Sequence, residues 1–224
     1  NDDGYRIGWV LDRNGNGAAD DVVTYTVDAD GKLLVSETDR GADGSINYRA
    51  FLAYDENGNW VTVDYDSDGD GVLDYGSTMT YDGNGNRLTL IGRSAADGTV
   101  VQTYAWTYDA NDNLLLQEYD KDGDGTVDHR EIHTYDANGN ELTHKYDRDN
   151  DEVIDESWTW THDATDRVLT MHWDRTADGV VNLIETHVYD EDNNQKTVST
   201  DGTSHEAADG IVDIISVYTY DCIG

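Results

Sequence analysis

The residues of this 224-residue chain most able to do chemistry are its aspartates, which recur in one pattern. Four nine-residue strings carry Asp or Asn at positions one, three, five and nine: DSDGDGVLD from Asp66, DKDGDGTVD from Asp120, DRDNDEVID from Asp147 and DRNGNGAAD from Asp12. Carboxylates crowded this closely repel one another unless a cation joins them. Ca²⁺ fits such a string, because it takes six to eight hard oxygen ligands in a tolerant geometry; Mg²⁺ demands a stricter octahedron and keeps its waters. Alternate side chains supply the oxygens, position seven can add a backbone carbonyl, and glycine at positions four and six allows the tight path. The ligand sets predicted for Ca²⁺ are Asp66, Asp68, Asp70 and Asp74; Asp120, Asp122, Asp124 and Asp128; and Asp147, Asp149, Asp151 and Asp155, where Asn150 and Glu152 replace the glycines. Asp12, Asn14, Asn16 and Asp20 form a fourth, weaker set with less charge.

Degenerate copies start at Asp39 (DRGADGSIN), Arg93 (RSAADGTVV), Asp174 (DRTADGVVN) and His205 (HEAADGIVD). With Arg93, Ala95 and Val101 in place of acidic groups, the Arg93 copy is predicted to hold no metal, the arginine partly replacing the missing charge. Occupancy of the other three stays open.

No second chemistry is legible. The histidines at 129, 133, 144, 162, 172, 187 and 205 show no His-x-His or His-Glu-x-x-His spacing of a zinc site. Paired carboxylates are so common here that they do not point to glycoside hydrolysis, and no nucleophile motif stands out. The chain is therefore not expected to be an enzyme.

The elements that position the acidic strings follow from a second repeat. Tyr-Asp-x-Asn-Gly-Asn starts at Tyr54, Tyr81, Tyr108 (YDANDN, with Asp for the glycine) and Tyr135, a step of 27 residues, and degenerate copies continue at Val27, His162 and Tyr189. The next falls at Tyr220, after four extra residues within 201–208. Between the two kinds of reversal the chain alternates: Leu142, His144 and Tyr146 point one way, Thr143 and Lys145 the other. A period of two means strands. The unit is strand, Asp loop, strand, Asn-Gly turn, and residues 1–224 are read as a single continuous array of eight β-hairpin repeats, about sixteen strands. The fold class is all-β: a long twisted antiparallel meander or spiral, with a parallel β-solenoid as the alternative. Aromatics gather on one face (Tyr65, Tyr119, Tyr146 and Trp173; Tyr25, Trp106, Trp160 and Tyr218) and threonines on the other (Thr80, Thr107, Thr134, Thr161 and Thr219; Thr62, Thr89, Thr143, Thr170 and Thr197). A slip of one residue would exchange the faces, so register is well specified.

The Tyr-Asp-x-Asn-Gly-Asn string resembles the Rhs/YD repeats of bacterial wall-associated and toxin-shell proteins, along nearly the whole chain. That resemblance implies an antiparallel sheet that spirals around itself. The acidic loops are similar to the calcium loops of thrombospondin type-three and dockerin repeats, without the flanking helices of an EF-hand.

Composition narrows the partners. Asp and Glu number 48 against 14 Lys and Arg, a formal charge of −34, so a nucleic-acid partner is excluded by repulsion. No apolar run is long enough for a transmembrane segment. Hydrophobic residues are only 37%, with 15 Tyr and 6 Trp, which argues against a conventional thick core. The single cysteine, Cys222, excludes an internal disulfide and is either a free thiol or a link to another chain. Weak calcium sites fill at millimolar extracellular calcium, not at resting cytosolic levels, so the expected location is extracellular or the cell surface, with this sequence the mature form. The whole number of units leaves a strand edge at each end, which points to the chain itself as partner, head-to-tail. The expected function is a calcium-stabilised structural subunit of a surface fibre, sheath or adhesin stalk. The alternatives are an adhesin module reading surface glycans or ice through its aromatic or threonine ladders, and an Rhs-like toxin-shell segment.

Overall fold

Among the described residues, each reversal contains an aspartate that caps backbone N–H groups, and the strands run between those reversals. The computed structural model describes residues 7–192, 194–202, 208 and 214–217. The chain divides into two compact units, Asn1–Ala105 with Asp120–Thr126, and Trp106–Tyr119 with Val127–Gly224. The first unit carries β1 (Gly8–Leu11), β2 (Asp21–Val27), β3 (Leu33–Arg40), β4 (Tyr48–Tyr54), β5 (Trp60–Asp66), β6 (Tyr75–Tyr81), β7 (Arg87–Ser94) and the start of β8 (Val100–Tyr108). The second carries β9 (Leu114–Asp120), β10 (His129–Tyr135), β11 (Glu141–Asp147), β12 (Glu156–His162), β13 (Val168–Asp174), β14 (Leu183–Tyr189), β15 (Gln195–Gly202) and β16 (Ile214–Val217).

Strand order in the sheet follows chain order from β1 to β16. The pairings within each unit are antiparallel, for example Tyr65 with Tyr75 and His133 with His144. This is the antiparallel meander of hairpins; a parallel solenoid is excluded.

The Asn-Gly reversals share one hydrogen-bond plan. In 54–59, the Gly58 N–H donates to the Asp55 carbonyl at 3.1 Å and the Asp55 N–H to the Asn59 carbonyl at 2.9 Å. The Asp55 carboxylate accepts the N–H groups of Asn57 and Asn59 at 2.9 and 2.8 Å, and the Asn59 amide at 3.0 Å. Gly58 sits at φ 89°, the left-handed region where glycine has no Cβ penalty. Asp82, Asp109 and Asp136 repeat the plan with Asn86, Asn113 and Asn140. Each of these strings thus reads chemically: Asp is the cap, Gly (Asp112 in the Tyr108 string, φ 66°) the left-handed residue and the final Asn the clamp. Its tyrosine does a separate job. The hydroxyls of Tyr54, Tyr81 and Tyr189 donate to the carbonyls of Leu33, Trp60 and Val168, each 21 residues earlier, at 2.8–2.9 Å. Consecutive repeats are thereby laced together, beside a β-bulge at each such tyrosine.

Packing confirms the thin core. The buried hydrophobic residues among those described are Val23, Ala50, Val63 and Met79, while the largest fully buried side chains are Asp66 and Asp147. Aromatic rings run across that face. In the first unit Tyr48, Tyr65 and Tyr75 follow one another at 6.0 Å. In the second, Tyr146, Trp158 and Trp173 run across three strands at 5.3 and 5.9 Å. On the opposite face cross-strand threonines share hydroxyl hydrogen bonds: Thr80 with Thr89, Thr134 with Thr143, and Thr161 with Thr170, at 2.7–2.8 Å. Tyr218, Thr219, Tyr220 and Cys222 lie outside the described residues.

Glycine has two separable roles in the acidic loops. Gly71 is left-handed, at φ 90°, with open space where a Cβ would stand. Gly69 is left-handed too, but a Cβ there would lie 1.8 Å from the carbonyl oxygen of Ile46 in the preceding acidic loop. Gly71→Ala should cost about 1–2 kcal/mol, the price of the left-handed region alone. Gly69→Ala should cost clearly more, because backbone must move. Urea denaturation in chelator measures both, and equal losses would refute the close packing of neighbouring loops.

Candidate metal centres in the acidic loops

The acidic loops begin where a strand ends, and from Asp39 onward their first aspartate is buried. Asp39, Asp66, Asp120, Asp147, Asp174 and Asp201 follow the 27-residue step and are all between 0% and 9% exposed. Arg93 takes the one missing place in that series. Asp201 holds the lead position of the last loop, so the four extra residues come after it; the copy counted from His205 lies outside the described residues.

A buried carboxylate needs donors, and the loop supplies them. Asp66 accepts the Gly69 N–H on one oxygen at 2.7 Å and the Gly71 N–H on the other at 3.0 Å. Asp120 does the same with Gly123 and Gly125, at 2.7 and 3.0 Å. Asp147 accepts from Asp151 and Glu152 at 3.2 and 3.1 Å. Asp12, although exposed, takes Gly15, Asn16 and Gly17. Asp39 and Asp174 hold Gly44 and Gly179, both at 2.8 Å. The sixth loop residue therefore donates to the lead Asp in each of these loops. It is left-handed even where it is not glycine, as at Glu152, φ 73°.

The remaining loop carboxylates make smaller rings of the same kind. The third residue accepts from the fifth, as Asp68 from Asp70 at 3.1 Å. The fifth accepts from the seventh: Asp70 from Val72, Asp124 from Thr126 and Asp151 from Val153, at 2.7–2.8 Å. The ninth reaches back to the second: Asp74 accepts from Ser67, Asp155 from Arg148 and Asp20 from Arg13, each at 2.6 Å. In the weaker set Asn14 also donates to Asp20, and Asn16 accepts from Ala18.

Three of the four predicted oxygens come together in each strong loop. Asp66, Asp68 and Asp70 offer ligand atoms within 4.8 Å of one another, as do Asp120, Asp122 and Asp128, and Asp147, Asp149 and Asp155. Asp74, Asp124 and Asp151 stand outside these groups; they accept the backbone N–H groups named above, as Asp70 and Asp155 do within them. A carboxylate has about four acceptor sites, so two or three backbone bonds leave room for an ion. These acidic groups could hold a metal ion.

Two loops contain a cation that spacing within the loop does not reveal. Arg49 and Arg130, each on the strand before the loop's own, are the direct cross-strand partners of Asp66 and Asp147. Arg49 reaches Asp66 at 2.8 Å and Glu37 at 3.0 Å; Arg130 reaches Asp147 at 2.6 Å. Burial pushes the Asp66 carboxyl up, but Arg49 and the N–H groups of Gly71 and Gly69 outweigh it and hold the group below the usual range. Asp147 behaves likewise with Arg130, Glu152 and Asp151. In the repeat that leads to Asp120, Thr103 takes the place of these arginines, so that loop lacks the equivalent cation. Arg93, in the degenerate loop, donates instead across its own loop to the Gly98 carbonyl at 3.3 Å.

The structure also assembles a cluster that linear spacing hides. Glu131, His133 and His144 offer ligand atoms within 4.8 Å of one another. The expectation of scattered histidines does not hold here. His133 and His144 are separated in sequence by a whole turn, yet they are directly opposed across β10 and β11, with ring centroids 4.1 Å apart.

No family model matches the sequence, and no curated protein matches it significantly. Among solved structures, the chain is similar to part of the Photorhabdus luminescens Tc holotoxin pore, at 13% identity and a TM-score of 0.38 over 90% of this chain and 12% of that one. It is similar to part of the TcdB2–TccC3 complex at 13% identity and a TM-score of 0.38, over 91% of this chain and 13% of that one. A porin-like protein from Bacteroides uniformis gives 11% identity and a TM-score of 0.41, over 94% of this chain and 95% of that one. This chain therefore spans about an eighth of the length of the two Tc chains.

Two predictions come from these carboxylates. Arg49→Gln leaves Asp66 buried without its countercharge, so it should lower the denaturation midpoint in chelator more than Arg93→Gln does, and calcium should restore part of the loss. Equal effects of the two substitutions would contradict the cross-strand role. The second prediction concerns acid. The Asn59 and Asn113 N–H and amide groups hold Asp55 and Asp109 below the ordinary aspartate value of 3.8, as Asn86 and Asn140 do for Asp82 and Asp136. A depressed folded value contributes stability that is complete above the unfolded value and lost as pH falls through the folded one. Thermal midpoints in chelator should therefore fall as pH drops below about 3.8, and midpoints that rise there would overturn the assignment.

Proposed function

We propose that the protein is an extracellular, calcium-reinforced structural repeat, acting as a subunit of a surface fibre, sheath or adhesin stalk. The observation that carries this reading is the gathering of three carboxylates within 4.8 Å in each of three loops, all in phase with the strand repeat. Ca²⁺ suits these sites because every side-chain donor is a hard oxygen on a short, adaptable loop. At −34, the chain gains from any cation that lowers its self-repulsion. Binding to the folded loops and not to the open chain then stabilises the array by mass action. Millimolar calcium outside the cell supports an exported location. A single array and the absence of catalytic activity belong to the same proposal.

Head-to-tail assembly rests on the open sheet. β1 and β16 are its outermost strands among the described residues, and an open edge is a template for pairing. Val10, Ile214 and Val217 are exposed on these two strands. The glycan- and ice-reading alternatives gain less support, since the threonine hydroxyls bond each other and the rings stack on each other. A toxin-shell segment remains distinguishable by the length of its parent chain.

Thermal melting with light scattering, first in calcium and then in chelator, tests the proposal. Each site held at 100 times its dissociation constant should add about 2.7 kcal/mol. Calcium should also increase scattering through assembly. If chelator changes neither stability nor assembly, the proposal fails.

A further inference from the structure

We propose that Glu131, His133 and His144 form a zinc site, separate in place and in chemistry from the acidic loops. The three side chains lie on the aromatic face of β10 and β11 and bring their ligand atoms within 4.8 Å of one another. They are half-buried or buried, unlike the exposed outer carboxylates of the loops.

The state of His133 points to a ligand. Its side chain is 9% exposed, and its Nδ1 meets the Glu141 carboxylate at 2.6 Å. A carboxylate accepts, so Nδ1 carries a proton; in the neutral ring that leaves the lone pair on Nε2. That Nε2 is buried and has no hydrogen-bond partner. A buried nitrogen lone pair left unpaired costs free energy, and a cation satisfies it. The carboxylate behind a ligating imidazole is the arrangement that fixes a zinc-binding histidine's tautomer and raises its basicity.

The other two donors stand ready in the same way. His144 Nε2 and a Glu131 oxygen are 3.1 Å apart. In a tetrahedral zinc site with ligands at 2.0–2.1 Å, neighbouring ligand atoms are about 3.3 Å apart. An ion would replace the proton these two groups share, and the third ligand atom would need only to draw in from within 4.8 Å. The second Glu131 oxygen is steadied by His129 at 3.3 Å. Tyr135 and Tyr146 flank the two imidazoles, with Arg148 over the Tyr146 ring.

Ligand type and charge select the ion. Two imidazoles and one carboxylate suit Zn²⁺, whereas hard Ca²⁺ prefers an all-oxygen shell. With Glu131 bound and Glu141 behind His133, the two negative charges balance the ion on a face that is partly shielded from water. Three protein ligands leave the fourth position to solvent.

The test is zinc titration of the whole chain by calorimetry, with calcium in excess to occupy the acidic loops. The proposal expects a saturable zinc site that calcium does not displace. His144→Ala should abolish it, Glu141→Gln should weaken it about 10- to 100-fold, and His172→Ala, on the opposite face, should leave it unchanged. Co²⁺ in place of zinc should give the intense visible bands of a tetrahedral site in the unsubstituted protein, a readout that needs no variant to fold. A weak octahedral spectrum, or zinc binding unaltered by His144→Ala, would overturn the proposal.

Discussion

A carboxylate at a chain reversal has to find N–H donors, and almost every feature of this protein follows from where it finds them. At the Asn-Gly turns the donors are the N–H groups two and four residues on, with the Asn amide beside them. At the acidic loops they are the N–H groups around positions four to six, so the first Asp becomes the buried centre of the loop. The strands can be short and the hydrophobic core thin because each reversal is closed by its own polar bonds. Side chains such as Asp66 and Asp147 occupy the positions that a thicker protein would give to leucine. Their negative charge is then met by backbone dipoles, by Arg49 and Arg130, and, in the proposed function, by calcium. In that function the frame and the ion would cooperate: backbone bonds place the oxygens, and the ion would cancel the repulsion that placing them creates.

The topology keeps this arrangement local. Each strand has neighbours adjacent in the sequence, and the Tyr54, Tyr81 and Tyr189 hydroxyls tie one repeat to the one before it. Stability in such an array is close to a sum of repeat and neighbour terms. A loop with a single acidic group, such as the one at Arg93 with Asp97, can then be tolerated without loss of its neighbours. Unequal loops are compatible with one scaffold, as is a short stretch of it where Glu131, His133 and His144 meet.

Much of this was legible from residue spacing. The 27-residue step located the reversals, and alternation located the strands and their two faces, because a β-strand has a fixed period of two. The interactions that the spacing did not reveal are those made across strands. A whole turn separates Arg49 from Asp66, and another separates His133 from His144; neither separation signals contact until the register is known. Once it is, the first signal could have been found: an arginine that precedes a lead Asp by the same interval as Arg49 precedes Asp66 stands opposite it. Asp201 lies one 27-residue step after Asp174, but the residues that follow it break the acidic pattern, and the string from His205 keeps more of it. Spacing also treats the four acidic positions of a loop as equal, whereas the fold gathers three of the four oxygens within 4.8 Å in each strong loop.

The most direct measurement of this account is amide hydrogen exchange, residue by residue, in chelator and in calcium. If aspartate–backbone bonds build the reversals, the N–H groups of Asn59, Asn86, Gly71 and Gly125 are protected in chelator, and calcium slows only the loop pair, Gly71 and Gly125, further. Exchange of all four at the open-chain rate in chelator, while the strand amides stay protected, would contradict it.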